Sequence, residues 1–458
     1  MSNRFIRRQA PGALVLAALS LPILASAAGA ETFSEAAAVT LKAHPMLQAD
    51  AAQVRAASEA IATARSGYFP HLSLDTELNS DTYTREVGSV GLMGRQAGIQ
   101  VQQMLFDGQT TNNRVEGANA LHDVQNAERM GDQNQLLLAV ARVYVGVLRE
   151  RDALTAAKRN LTYHQQSVAT LKAIVKHDAG KGFDLTQIQA REALAASNVQ
   201  EREAALRAAE ASFVEIVGHA PTDLVTPEAL AGAEFKSLEE ALRVGQAEHP
   251  AVKAAGHRAR LREAEHGEAR SSLVPRFDAT ARFVKGMDRQ SLAGQNDNAY
   301  AGLRGSYALP TGGANAARAK SAEILVESAN HKVEAARRDI RESIRVAWAQ
   351  REGLAATLPM ATEHWTRINE VVAGFKTQYS LGRRTVLDLL IVQNESYTAE
   401  TRKIQIHYDR LLADYALAAN AGTLVARFTP PDDTPIQPKI RLEQADQTPP
   451  RVSTGATP

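Results

Sequence analysis

The sequence predicts a mostly helical chain that carries four short amphipathic β-strands and is built as two copies of one unit. Long stretches with almost no proline or glycine indicate helices far longer than those of a compact domain. Aromatic residues make up only 5% of the 458 residues, and alanine is plentiful. This composition favours close helix packing over several compact aromatic cores.

Internal repetition is the strongest signal in the chain. Landmarks of the first half return 204 or 205 residues later: His44-Pro45 as His249-Pro250, Phe69-Pro70 as Val274-Pro275, and segment 108–121 as segment 312–325. A spacing that holds over so much of the chain indicates a duplicated structural unit. Each unit is expected to contain a helix broken at His-Pro, two strands, a very long helix, a tight turn and a second long helix.

The two units are bounded by segments of different composition. We expect a signal peptide over 1–30, because a basic start is followed by a short apolar stretch and small residues before Glu31. The first unit covers 31–217, a connector covers 218–236 and the second unit covers 237–428. The Pro-rich polar tail, 429–458, is expected to be disordered.

Within these units the elements follow from periodicity and from turn residues. The strands are expected at about 71–79, 98–105, 276–284 and 300–309, and the long helices at 113–177, 185–217, 313–378 and 385–422. Gly-rich loops over 80–96 and 285–298 would join each pair of strands. Val147, Leu154 and Leu161 belong to a seven-residue apolar repeat in the first long helix, which predicts supercoiled packing against neighbouring helices.

The strands alternate apolar and polar residues, as expected of strands that cross an outer membrane. The residues predicted to face lipid are Leu72, Leu74, Ile99, Val101, Phe277, Phe283, Leu303 and Tyr307. Taken alone, the same alternation also fits two amphipathic hairpins that cover a soluble core. Closed outer-membrane barrels need about eight strands or more, so four strands predict that several copies share one barrel, with cyclic symmetry.

Several motifs of this chain resemble those of the TolC family of outer-membrane efflux and secretion channels. They are the turn 379–390 (YSLGRRTVLDLL), the Gln393-Asn394-Glu395 that follows it, the paired His-Pro helix starts and the Leu-Phe-Asp-Gly at 105–108. The resemblance covers about residues 33–428. It implies a homotrimer with one shared twelve-stranded barrel in outer-membrane lipid, a long periplasmic tunnel of helices, and an entrance closed at the helix turns. It also implies a periplasmic adaptor and an inner-membrane transporter as partners.

Within that family, the stretch 382–424 is more similar to type I secretion members, which implies an ABC-type transporter. The absence of cysteine agrees, because acylated drug-efflux members carry a lipid on a cysteine. Multidrug or small-molecule efflux stays open as an alternative. A soluble periplasmic coiled-coil adaptor is an alternative from another class.

The resemblance also assigns a gate at the tunnel entrance. Tyr379 and Arg384 match family positions that bind residues of the first turn, and Asp184 matches their acidic partner. Asp388 would line the narrowest ring, once per chain, and would favour cations. Asp184 and Asp388 are also well placed simply to cap their helices, and both roles are compatible.

Neither an enzyme nor a nucleic-acid-binding protein is indicated. The net charge is +1 with acids and bases interspersed, which gives no basic surface for nucleic acid. Gly180-Lys181-Gly182 lacks the spacing of a phosphate-binding loop, and the histidines lack metal-ligand spacing. No nucleophile with a base can be assembled, so no cofactor, metal or catalytic residue is predicted; a glycan-active enzyme would need a carboxylate pair in a cleft.

Overall fold

The computed structural model describes residues 30–428, except 86–87, 176–181, 228–234, 290–291, 308 and 310. The elements in chain order are α1 Phe33–Ala43, α2 Pro45–Ser66, β1 His71–Arg85, β2 Gly88–Phe106, α3 Thr110–Val175, α4 Gly182–Val217, α5 Leu238–Glu248, α6 Pro250–Ser271, β3 Arg276–Arg289, β4 Leu292–Ser306, α7 Ala314–Ser380, α8 Val386–Asn420 and α9 Leu424–Phe428. The expected signal peptide, the tail and the first helix turn at 178–181 lie outside the described residues.

The repeated His-Pro motif acts as a helix junction. His44 ends α1 and also caps α2, where its Nδ1 accepts a hydrogen bond from the backbone N–H of Met46 at 3.3 Å. His249 does the same between α5 and α6, accepting from Ala251 at 3.1 Å. Proline follows as the first helical residue, where it has no hydrogen bond to lose. The paired helices have equal lengths, 11 and 22 residues, in both units.

The four strands form one antiparallel sheet in the order β1-β2-β3-β4. The two hairpins lie side by side, because β2 of the first unit pairs with β3 of the second. In this register Leu74 lies opposite Ile99, which lies opposite Phe283. Successive residues of a strand point to opposite faces, so the pairing aligns the apolar positions of all four strands on one face.

The strands are longer than expected, and the predicted Gly-rich loops over 80–96 and 285–298 are wrong. β1 and β2 stay paired up to Arg85 opposite Gly88, and β3 and β4 stay paired up to Arg289 opposite Leu292. Glycine keeps its backbone donor and acceptor, so it does not end a ladder. At Gly98 a Cβ would make tight contacts, 3.0 Å from an Asp75 carboxylate oxygen and 3.1 Å from a Val284 methyl carbon, so glycine suits this position in the paired strand.

Each hairpin enters its long helix through two consecutive residues in the left-handed backbone conformation. These are Gly108 and Gln109 before α3, and Gly312 and Gly313 before α7. Asp107 then accepts bonds from the backbone N–H and hydroxyl of Thr111, at 2.8 and 2.6 Å. The repeated sequence at 108 and 312 therefore encodes a sharp change of direction from sheet to helix.

The long helices pack as antiparallel pairs, α3 with α4 and α7 with α8. Between α7 and α8 the chain reverses at Gly382, whose φ of +71° is left-handed. Thr385 then caps α8. None of the described helices contains a stretch apolar enough to cross a membrane.

The main core lies where α1, α3, α4, α8 and α9 meet, and it joins the two ends of the described chain. Its ring contacts centre on Phe33, which lies within 5.7 Å of three other rings, those of Tyr144, Tyr415 and Phe428. The Tyr144 hydroxyl donates toward the backbone oxygens of Glu31 and Val225, at 2.7 and 2.8 Å. The start of the described chain is thereby attached to the connector between the units.

We expect Gly108→Ala to destabilise the protein by about 2 to 4 kcal/mol, because it adds left-handed strain to a steric clash. The new Cβ would lie 2.3 Å from a Val274 methyl carbon. Thermal unfolding followed by circular dichroism tests this. Gly256→Ala, in α6 with open space around the new methyl group, is the control and should be neutral or slightly stabilising. Equal unfolding temperatures for the two variants would contradict the assigned strain.

Candidate functional site

Two regions collect the residues that the sequence singled out: the apolar face of the sheet and the α7–α8 turn. On the sheet, cross-strand pairing brings Leu72 opposite Val101 and Leu74 opposite Ile99. Leu303 lies opposite Ala279 on the same face. All the large members of this face are exposed, with Leu74 at 73% and Leu303 at 79%. One protomer therefore presents an apolar surface that none of the described residues covers.

The opposite face of the sheet is polar and partly enclosed. Arg282 forms an ion pair with Asp75 at 2.8 Å across the strands. Asp278 and Thr280 are buried on this side, together with Val284. This face therefore carries the Asp75–Arg282 pair and buried polar groups, whereas the large exposed apolar side chains lie on the opposite face.

An aromatic group lies at the helix-proximal end of the apolar face. A register shift in β2 sets Phe106 opposite Phe277, and the two rings are 6.4 Å apart. Tyr307 is exposed, as expected, but it follows the end of β4 at Ser306 and is not part of the strand. Phe106 was not predicted to lie on this face, because alternation counted without the register shift assigns it to the other face.

At the far end of the long helices, the start of α8 packs against the α3–α4 pair. Leu390 of α8 is fully buried with Val168 of α3 and Ile188 of α4. Tyr163 packs against this group, and burial raises the pKa of its phenol to about 12. The second turn is therefore attached to the end of the first helix pair through an apolar contact.

Arg384 is held by its own turn. Its Nε donates to the Gln378 side chain at 3.1 Å, and its guanidinium lies 4.4 Å from the ring centroid of Phe375. The Arg384 side chain thus has two partners on α7, neither of which the sequence analysis identified. Their positions six and nine residues earlier gave no signal, because the contact depends on the geometry of the turn.

Asp388 forms a capping box with Thr385. Its carboxylate accepts from the Thr385 backbone N–H at 3.0 Å and from the hydroxyl at 2.9 Å, and its own N–H donates back to the hydroxyl at 3.2 Å. These bonds, the backbone bond first, lower the pKa of the Asp388 carboxyl. The capping role considered from sequence is therefore present, and the carboxylate stays ionised at neutral pH.

Asp184 lies exposed in the first turn of α4. Tyr379 is half-buried at the end of α7, and burial raises the pKa of its phenol. Among the described residues of one protomer, no hydrogen bond or ion pair joins Asp184 to Tyr379 or Arg384. Any contact of Asp184 with these residues therefore has to involve another protomer or a different state of the turn.

The chain matches known proteins over most of its length. A family model described as outer membrane efflux protein matches twice, over residues 38–219 and 242–423. Outer membrane efflux protein BepC of Brucella suis is 26% identical over 432 residues, covering 90% of this chain and 91% of BepC. Outer membrane protein TolC of Escherichia coli is 23% identical, covering 90% of this chain and 86% of TolC.

The fold is also similar to solved structures. The outer membrane protein VceC of Vibrio cholerae superposes with a TM-score of 0.75, covering 85% of this chain and 96% of VceC. Sequence identity to VceC is 14%, so the likeness concerns the fold. The two matches of the family model fall on the two structural units and confirm the duplication.

We expect the first turn of α8 to lose protection from hydrogen exchange in acid. The pKa of Asp388 is lowered in the folded state, so its contribution to stability is complete above its ordinary pKa and is lost as the pH falls through the lowered value. Exchange of a peptide that covers 383–392, corrected for intrinsic rates from about pH 7 to about pH 2, measures this. Asp388→Asn should remove the acid step, and an unchanged step in that variant would assign it to another group.

Proposed function

The chain belongs to the outer membrane efflux protein family, and we propose that three copies form an export channel across the outer membrane. The observation that carries this proposal is the open four-stranded sheet. Its edge strands, β1 and β4, each pair on one side only among the described residues. Unpaired backbone groups are too costly to leave in lipid, so the edges need strands from other copies.

Three copies supply twelve strands, which is enough to close an outer-membrane barrel. The exposed apolar face of each sheet would meet lipid, and the polar face with Asp75 and Arg282 would line the lumen. The predicted lipid-facing residues that lie within the strands share one face, which is compatible with this arrangement, whereas Tyr307 follows the end of β4. The arrangement also explains why a protomer leaves so many large apolar side chains uncovered.

The helices would continue the barrel as a tunnel in the periplasm. α3 and α7 contain 66 and 67 residues, so each is about 100 Å long at about 1.5 Å per residue. α7 keeps Ile324, Val346 and Met360 exposed along its length. Contact with helices of a neighbouring copy would bury this apolar row and close the tunnel wall.

We infer that the channel takes its energy from an inner-membrane transporter, connected through a periplasmic adaptor. The sequence holds no phosphate-binding loop with which to use a nucleotide. The resemblance of 382–424 to type I secretion members favours an ABC-type transporter and a protein cargo. Small-molecule efflux is the second candidate, because BepC, 26% identical, is named an efflux protein.

Deletion of the gene in its host separates the two cargo classes. Under the secretion proposal, specific proteins should disappear from the culture medium, and they should return when the gene is supplied again. Under efflux, susceptibility to dyes, detergents and antibiotics should rise while the secreted proteins stay the same. A deletion that changes neither property would contradict an export role in that host.

We propose that the α7–α8 turn is the gate of the tunnel. In a ring of three copies, Arg384 and Tyr379 of one copy would face Asp184 of the next. The contacts of Arg384 with Gln378 and Phe375 hold its guanidinium at the surface of the turn, where a neighbouring carboxylate can reach it. An exposed ion pair stabilises a contact by at most about 1 kcal/mol, so the closed state of the gate would depend on the repetition of the pair in all three copies. Asp388 would form a ring of three carboxylates that favours cations.

Replacing Arg384 with Ser and Tyr379 with Phe should raise single-channel conductance in planar bilayers, because both variants remove latch contacts without removing the buried contact at Leu390. The control is Arg367→Ser, which removes an exposed arginine of α7 about three turns before Tyr379. Light scattering should show intact trimers for each variant. Unchanged conductance in a well-folded double variant would rule out this latch.

A further inference from the structure

The two ends of the apolar sheet face carry different chemistry. The helix-proximal end carries Phe106 and Phe277, whose rings are in contact range. At the other end, two exposed basic side chains, Lys285 and Arg95, lie on the same face as Leu74 and Phe283. An arginine or lysine on a lipid face is costly at the bilayer centre and becomes tolerable only near the interface.

The spacing of the two ends matches the thickness of an outer membrane. Eight residues of β3 separate Phe277 from Lys285, and ten separate it from Met287, which lies opposite Arg95. At about 3.4 Å per residue and a tilt of about 40°, this distance is about 20 to 26 Å along the membrane normal. The apolar band of such barrels is about 25 Å high. With Phe277 at the periplasmic boundary, Lys285 and Arg95 reach the outer boundary.

The two cations are placed to act together. Lys285 lies directly opposite Ala97, and Arg95 is two residues further along the same strand. Diagonal neighbours of this kind are about 7 to 8 Å apart, and both side chains are long and flexible. Arg95 lies along the sheet with a terminal nitrogen 2.9 Å from the Met287 sulfur. Among the described residues, neither cation forms an ion pair.

Among the described side chains of this face, one carboxylate lies near the two cations. Asp297 is opposite Lys285 on β4, and it accepts a hydrogen bond from the Gln295 side chain at 2.9 Å. The three charged groups together leave a net positive charge on this part of the face. A basic pair above an apolar surface fits a lipid whose headgroup is anionic.

We propose that Lys285 and Arg95 bind the phosphate of an anionic lipid in the outer leaflet, with its acyl chains along Phe283, Ile99 and Leu74. The planar guanidinium of Arg95 offers two parallel donors to one phosphate, and the Lys285 ammonium adds a point charge. Lipid A, a phosphorylated glycolipid of the outer leaflet, has this chemistry. The site rests on the proposed function, since it needs the apolar face to meet lipid.

Binding of lipid A to the detergent-solubilised trimer, titrated by native mass spectrometry, tests the site. The double variant Lys285→Gln, Arg95→Gln should bind lipid A roughly tenfold or more weakly than the unchanged protein. Arg304→Gln is the matched control, because Arg304 lies opposite Asp278 on the polar face. Dephosphorylated lipid A, with the same acyl chains, should bind weakly to all three proteins. Equal binding of lipid A by the double variant, or equal binding of the two lipids, would overturn the proposal.

A second measurement separates failure of this site from failure of the proposed function. Spin labels at Leu74 and, as the opposite-face control, at Gln100 report contact with oxygen in lipid or with a water-soluble relaxant. If the label at Leu74 contacts lipid but the double variant binds lipid A as tightly as the unchanged protein, only the phosphate site is wrong. Leu74 in water would overturn the lipid-facing assignment, and the phosphate site with it.

Discussion

The need to pair the backbone at both edges of a four-stranded sheet governs this molecule. Within one protomer, β1 and β4 have no outer neighbour among the described residues, and the large side chains of one face are uncovered. Each feature would be a liability in an isolated protein in water. In the proposed ring of copies in lipid, both would become interfaces: the edges would pair with strands of neighbouring copies, and the apolar face would contact acyl chains. Under this proposal the oligomer completes the fold of the chain.

The long helices differ from the strands mainly in their length. A sheet crosses the membrane with about ten residues per strand, whereas α3 and α7 are each about 100 Å long. The left-handed pair at Gly108 and Gln109 changes the direction of the chain between strand β2 and helix α3, and the Asp107 carboxylate accepts a hydrogen bond from the first turn of α3. Helix length would set the reach of the proposed tunnel, which would end at the turn at Gly382. The proposed gate residues lie at or next to this turn, so the reversal of the chain fixes their position.

The sequence predicted the layout well, because its signals are local and repeated. His-Pro marks a helix junction in each unit, and the capping box at Thr385 is visible as a spacing of three residues. Strand length was underestimated, since glycine in a paired strand looks the same in sequence as glycine in a loop. The Arg384 contact with Phe375 depends on the three-dimensional path of the turn, so no periodicity could reveal it. The assignments of the gate and of the lipid face remain predictions.

The duplication has a consequence for how neighbouring copies join. β2 of the first unit already pairs with β3 of the second, with Ile99 opposite Phe283. If the same rule continues around the ring, β4 of one copy pairs with β1 of the next in the equivalent alignment. At repeat spacings of 204 and 205, the counterparts of Ile99 and Phe283 are Leu303 and Leu78, which are 79% and 83% exposed in the protomer. The contact between neighbouring copies, β4 with β1, would then repeat the contact between β2 and β3 within each chain. A ring of three copies would contain six similar contacts between half-length units, three within chains and three between chains.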